Sequence, residues 1–94
     1  MPAPKAVAMT GADQVICDRP AMYHGFTIRE TGGSAAAVVV IYDHPFAALG
    51  TPLEEISLAA GGSAREMYGP GIQATNGVYV DVVSGAVAGS IRIG

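Results

Sequence analysis

The sequence predicts an all-β fold: a small antiparallel β-sandwich of jelly-roll or Ig-like type, built from about seven to nine short strands. Three observations point there. Turn-forming residues punctuate the chain at roughly eight- to twelve-residue intervals, the spacing of a sandwich or barrel. Between the marks, apolar residues alternate with polar ones at a period of two. No stretch keeps apolar residues at i, i+3 and i+4 for about ten positions, so helix should fall below about one-tenth of the chain.

Taken in order, residues 1–5 read as a flexible arm and residues 6–94 as a single domain, since 94 residues can bury one core and no more. Gly11 and "DRP" at 18–20 are the first turns. Phe26 and Ile28 then alternate with Thr27 and Arg29, which gives a strand with one wet and one dry face, and "TGGS" at 31–34 ends it. "AAAVVVIY" breaks the alternation: it is apolar throughout and β-branched from Val38 to Ile41, so it reads as a central strand covered on both sides. "DHPFAALGTP" at 43–52 is a loop with at most one helical turn, Pro45 to Leu49, capped by Asp43. Ile56 and Leu58 alternate with Glu55 and Ser57, and Ala64 to Tyr68 forms a strand between "GGS" and "GPG". The C-terminal third reads as a meander of strands Ile72–Thr75, Val78–Val83 and Val87–Ile93. "NG" at 76–77 is the strongest hairpin signal, because a type I′ turn needs positive φ at both central residues, and "SG" at 84–85 is a second turn of that kind. Val38, Val40, Ile56, Leu58, Val80 and Ile91 form the expected core.

Half of the residues are apolar and only 14 % are charged, against about 25 % for an average soluble domain. So small a domain has a high surface-to-volume ratio, and a charge deficit means that part of its surface faces protein. Self-association is expected from that deficit. The net charge is −3 and the five basic residues, Lys5, Arg19, Arg29, Arg65 and Arg92, form no run in the sequence, which argues against nucleic acid as a partner. The longest apolar run, Ala35 to Tyr42, is far short of the roughly 20 residues that span a bilayer, and "MPAPKAVAMTG" has no apolar signal core. No membrane partner is expected.

No constellation for catalysis or metal binding stands out. His24 and His44 have no ligand spacing with a carboxylate, and the lone Cys17 supports neither a disulfide framework nor a zinc cluster. Glu54 and Glu55 are adjacent, so on a strand they point to opposite faces and read as solvation at a strand start. "GGSAREMYGPG" lacks the Gly-Lys-Ser/Thr ending of a phosphate loop, and G-x-S-x-G is absent. The expectation is a non-enzyme without cofactor or metal. Tyrosine is the better lead, being amphipathic and favoured at interfaces: Tyr23, Tyr68 and Tyr79 are the candidate interface residues. A small carbohydrate- or ligand-binding module is an alternative, for which Tyr79 with Asp81 and Tyr68 with Gln73 are the only suitable pairs.

The order "HGFTIRET", "AAVVVIYD", "GTPLEEISLAAGGS", "GPGIQATNGVYVDVVSG" and a last short strand resembles small virion structural proteins of tailed bacteriophages, of the capsid decoration or head-associated type. The likeness covers residues 22–94 and rests on structural motifs: a Tyr-Asp strand end leading through a "GTPL" loop, and the "GIQATNGVYV" segment. It implies a β-sandwich carried on the virion, assembled in the host cytoplasm, without catalysis or cofactor. Its partners are then the major capsid protein, or tail proteins, of the same particle, and the chain's own copies, with a homotrimer as the expected form because it suits the three-fold positions of an icosahedral shell. It further implies scaffold roles for Gly50, Gly71, Asn76 and Gly77 as turn residues, joined by Gly85 from the "SG" turn, and packing roles for Tyr42 and Tyr79. A tail or tail-fibre-base component is the alternative within the same particle.

Overall fold

The first strand of the chain pairs with the last, the second with the seventh, the third with the sixth and the fourth with the fifth. In the computed structural model, which describes residues 4–94, these are β1 (Lys5–Ala8), β2 (Gln14–Cys17), β3 (Ala21–Glu30), β4 (Ala37–Asp43), β5 (Thr51–Leu58), β6 (Ser63–Ala74), β7 (Val78–Ser84) and β8 (Val87–Ile93). Every pair is antiparallel. Further pairing of β3 with β8 and of β4 with β7 folds this long ribbon into two four-stranded sheets, ordered β1-β8-β3-β6 and β2-β7-β4-β5. That order is a jelly roll, in which two Greek keys interlock. The expected all-β sandwich is present, with eight strands and no helix among the described residues.

β1 begins at Lys5, within the stretch read as an arm, and pairs Lys5 with Ile93; the rest of that reading falls on residues 1–3, outside the described residues. Three of the expected local structures are replaced. The C-terminal meander does not form, because β6 and β8 belong to one sheet and β7 to the other. Residues 75–77 and 85–86 are therefore crossings between sheets, not hairpin turns. Asn76 lacks the positive φ of a type I′ turn, since among the described residues every positive-φ residue is a glycine. The loop is held instead by the Asp43 carboxylate, which accepts the amides of Thr75 (3.1 Å), Asn76 (2.8 Å) and Gly77 (3.3 Å). The helical turn over Pro45–Leu49 is also absent: with Asp43 engaged elsewhere, His44 Nδ1 accepts the amides of Phe46 and Ala47, and the segment stays a loop.

Glycine is required at the crossings for lack of space. A Cβ on Gly77 would lie 2.6 Å from the Cys17 carbonyl oxygen and 2.8 Å from Pro45 Cα, and one on Gly85 would lie 2.7 Å from Ala37 Cα. Gly50 abuts the Asp43 carbonyl, whereas Gly71, expected at a turn, lies inside β6, which runs unbroken through the "GPG" read as a turn between two strands, and packs there against the His24 ring.

The core lies between the sheets, with Ile28 and Ile91 from one and Ile41, Val78 and Val80 from the other, all fully buried. Ile56, Leu58, Val80 and Ile91 are in it as expected; Val40 is buried as expected but lies outside this cluster, and Val38 is only half-buried. β4 turns Ala37, Val39 and Ile41 inward, so Val38, Val40 and Tyr42 occupy its outer side. Both sides of this strand are apolar, which removes the alternation that fixes register from sequence.

Candidate functional site

The groups that carry chemistry do not converge. Among the described residues no cluster of three or more His, Cys, Asp or Glu side chains could hold a metal ion. His24 Nδ1 faces the Tyr68 carbonyl oxygen at 3.2 Å, while the Cys17 thiol donates to the Arg19 carbonyl at 3.3 Å, so each is occupied locally and no thiol–imidazole pair exists.

The tyrosines divide by location. Tyr23 is fully buried, which corrects its assignment as an interface residue. It faces inward because it shares a side of β3 with Phe26 and Ile28 after the irregularity between Tyr23 and Gly25 shifts the register. Its hydroxyl donates to Glu54 Oε1 (3.2 Å), and the Tyr68 hydroxyl donates to the same oxygen (2.8 Å), the two rings lying tilted at 6.1 Å. Glu54 is opposite Ile41 and turns inward, whereas Glu55 is opposite Val40 and turns outward. Glu54 is thus a stitch between sheets and not solvation at a strand start. Burial, then the Glu54 charge, holds the Tyr23 hydroxyl well above the usual phenol range; the bond to Glu54, then burial, pushes Tyr68 up to about 12. Both phenols stay protonated donors, which suits cross-linking of the sheets and not acid–base work. Tyr68 accordingly serves Glu54, and its suggested pairing with Gln73 is not made.

Glu30 is the polar group that sequence reasoning missed. It is buried, and its carboxylate accepts the amides of Gly32 (2.6 Å), Gly33 (2.7 Å) and Gly61 (2.8 Å), tying two loops at one end of the sandwich. The "ETGG" run carried the signal, an acid followed at two and three residues by glycine amides. The third amide, from Gly61, comes from far along the chain and was invisible locally.

The two outer faces of the sandwich differ in chemistry. On the outer face of the β2-β7-β4-β5 sheet, the register aligns Val15, Tyr79, Tyr42 and Pro52 in one row across all four strands. The adjacent row sets Asp81, Val40 and Glu55 side by side, with Asp13 next to Asp81, where it accepts the Val82 amide at 2.8 Å. This face holds acids and apolar groups but no base. On the outer face of the β1-β8-β3-β6 sheet, the rows are Ala6, Arg92, Gly25 and Met67; Ala8, Ser90, Thr27 and Arg65; and Ala88, Arg29 and Ser63. Three of the five basic residues, remote in sequence, gather there. Arg92 donates to the Thr27 hydroxyl, and a shallow recess of about 330 Å³ opens between Arg65, Met67 and Arg92, with Glu66 at its side. Among the described residues the single ion pair joins Arg19 to Asp18 at 3.4 Å, so none of these three arginines has an ionic partner.

At one end of the molecule the loop between β4 and β5 presents Phe46, 70 % exposed, and Leu49, 59 % exposed. The Phe46 ring packs edge-on against His44 at 4.7 Å, which holds it upright at the loop tip. Compared with family models, curated proteins and solved structures, this chain matches none of them.

Proposed function

We propose that this chain is a structural protein of a tailed-phage virion, a decoration protein that binds the outside of the assembled head in multiple copies. The observation that carries the reading is the exposed Phe46 and Leu49 pair on the loop between β4 and β5, the one connection that joins hydrogen-bonded neighbours directly. Two large apolar side chains at the tip of a rigid sandwich cost solubility unless a partner covers them. The charge deficit and the likeness to phage virion proteins support the same reading. In it, the loop end is the attachment point and the broad faces are left for neighbouring copies.

The test is to add the purified chain to particles that lack it and to image them. The expected result is ordered density on the head exterior, and loss of binding by a Phe46→Ser, Leu49→Ser variant that keeps its fold. Density confined to the tail would replace decoration with a tail role; absence from both would end the virion reading.

A further inference from the structure

The two outer faces of the sandwich are chemical complements. One carries Arg29, Arg65 and Arg92 over a floor of Ala6, Ala8, Gly25, Ser63, Ala88 and Ser90, with the exposed Glu66 at the side of the recess between Arg65 and Arg92, so it is low and net basic. The other carries Asp13, Asp81 and Glu55 beside a raised row of Tyr42 and Tyr79, so it is acidic, aromatic and free of bases. We propose that the arginine face of one copy docks on the acidic, tyrosine-bearing face of a second copy. This goes beyond the decoration reading and does not rest on it, because it needs no partner other than the chain itself.

Four observations lead to a second copy as the occupant. The arginines have no ionic partner among the described residues, so their charge is available. All three cations are arginine, whose planar and weakly hydrated guanidinium both pairs with carboxylates and stacks on tyrosine rings, as the opposite face offers. The outer side of β4, an inner strand, carries Val38 and Tyr42, both half-buried, on either side of the buried Val40, an apolar stripe that a second copy would cover. Finally, Asp13 and Asp81 adjoin with no cation near them. Burial, then the Asp13 charge, holds the Asp81 carboxyl above its usual range, and an incoming guanidinium would relieve that repulsion.

Size permits the contact. The longer axes of the molecule, 40 and 24 Å, frame a face of the extent that a standard interface covers, about 800 Å² per partner. Because the two surfaces differ and lie on opposite sides of the sandwich, the contact is heterologous: each docked pair leaves one free face of each kind and can take a further copy. Association should therefore grow with concentration instead of stopping at a closed dimer.

The experiment is sedimentation velocity of the full chain over a concentration series, with folding checked by circular dichroism and melting. The wild type is expected to associate, and to weaken at least about ten-fold between roughly 0.05 M and 0.5 M salt. Arg29→Glu with Arg65→Glu makes both faces acidic, and Glu55→Arg with Asp81→Arg makes both basic; each variant alone should be monomeric. Mixed together they should associate again, which a merely structural effect of the substitutions would not produce. Glu55→Arg alone, at an exposed position, serves if the Asp81 change disturbs folding. A wild type that stays monomeric, an association indifferent to the arginine reversals, or a mixture that fails to assemble overturns the proposal. A monomeric wild type that binds a short DNA duplex through the same arginines would reassign the face to phosphate.

Discussion

The Asp43 carboxylate at the end of β4 accepts the amide of Asn76, 33 residues further along the chain, at 2.8 Å. One side chain thus supplies, across two sheets, the hydrogen bonds that a hairpin would have supplied locally. Gly77 sits in this crossing against backbone atoms of Cys17 and Pro45, which cannot move aside as a side chain could. Gly77→Ala, Gly77→Asn and Gly77→Val should therefore all destabilise, by about 3 kcal/mol. Denaturant titration checks it, and an Asn variant much milder than the Val variant would show that φ, and not contact, governs the site. Asp43→Asn, which keeps the shape and loses the charge, should cost about 1 kcal/mol.

The inward residues of β4 are Val39 and its neighbours two away. Val39→Asp buries a charge without a partner and should prevent folding, as should Val80→Asp, a loss of more than about 4 kcal/mol. Val38→Asp, on the half-buried outer side, should leave a folded chain. Melting curves of the pair decide the matter; equal loss in both would mean that the strand is covered on its two sides.

The Tyr23, Glu54 and Tyr68 stitch should behave as a coupled unit. Glu54→Ala leaves the fully buried Tyr23 hydroxyl without its acceptor and should cost about 2 kcal/mol, whereas Tyr68→Phe should cost about 1 kcal/mol. In Tyr23→Phe the same Glu54→Ala change should cost less. Ultraviolet titration should find one phenol ionising near 12 and one higher still, provided the fold survives, with both values falling in Glu54→Gln.

Glu30 and Asp81 give opposite pH dependences. The amides of Gly61 and Gly33, then Gly32, hold Glu30 below the usual carboxylate range, so its contribution is present above the unfolded value of about 4.3 and is lost as pH falls through the folded value. Asp81 is held up by burial and Asp13, so it weakens the monomer at neutral pH and recovers on protonation. Glu30→Gln should melt lower at neutral pH and flatten the acid limb of the melting profile. Asp81→Asn, measured at dilution, should melt higher than the wild type near pH 7. A wild-type acid limb unchanged by Glu30→Gln would remove Glu30 from this role.

The sandwich could be read from turn spacing and period because both are local properties of a strand. Partner choice could not. "NG" is a hairpin signal only if the flanking strands pair, and here a carboxylate contributed by β4 draws the loop across to the other sheet. In β4 the very evenness of "AAAVVVIY" concealed which side faces the core. The arginines show the same limit: Arg29, Arg65 and Arg92 are scattered in sequence and become one surface only through the pairing of β3 with β6 and β8. Glu54 was legible as turned away from Glu55, since strand neighbours always are; that it met two phenols depended on the packing of the sheets.

The nested pairing also dictates how the chain can fold in time. Only β4 and β5 are close along the sequence, so the loop between them closes first at low entropic cost, while each further pair joins segments that are progressively more distant. Lys5 must find Ile93 last. The molecule should zip outward from the β4–β5 hairpin in milliseconds to seconds, at the slow end of small domains. Since β8 lies between β1 and β3, a nascent chain on the ribosome keeps one sheet incomplete until its final strand has emerged.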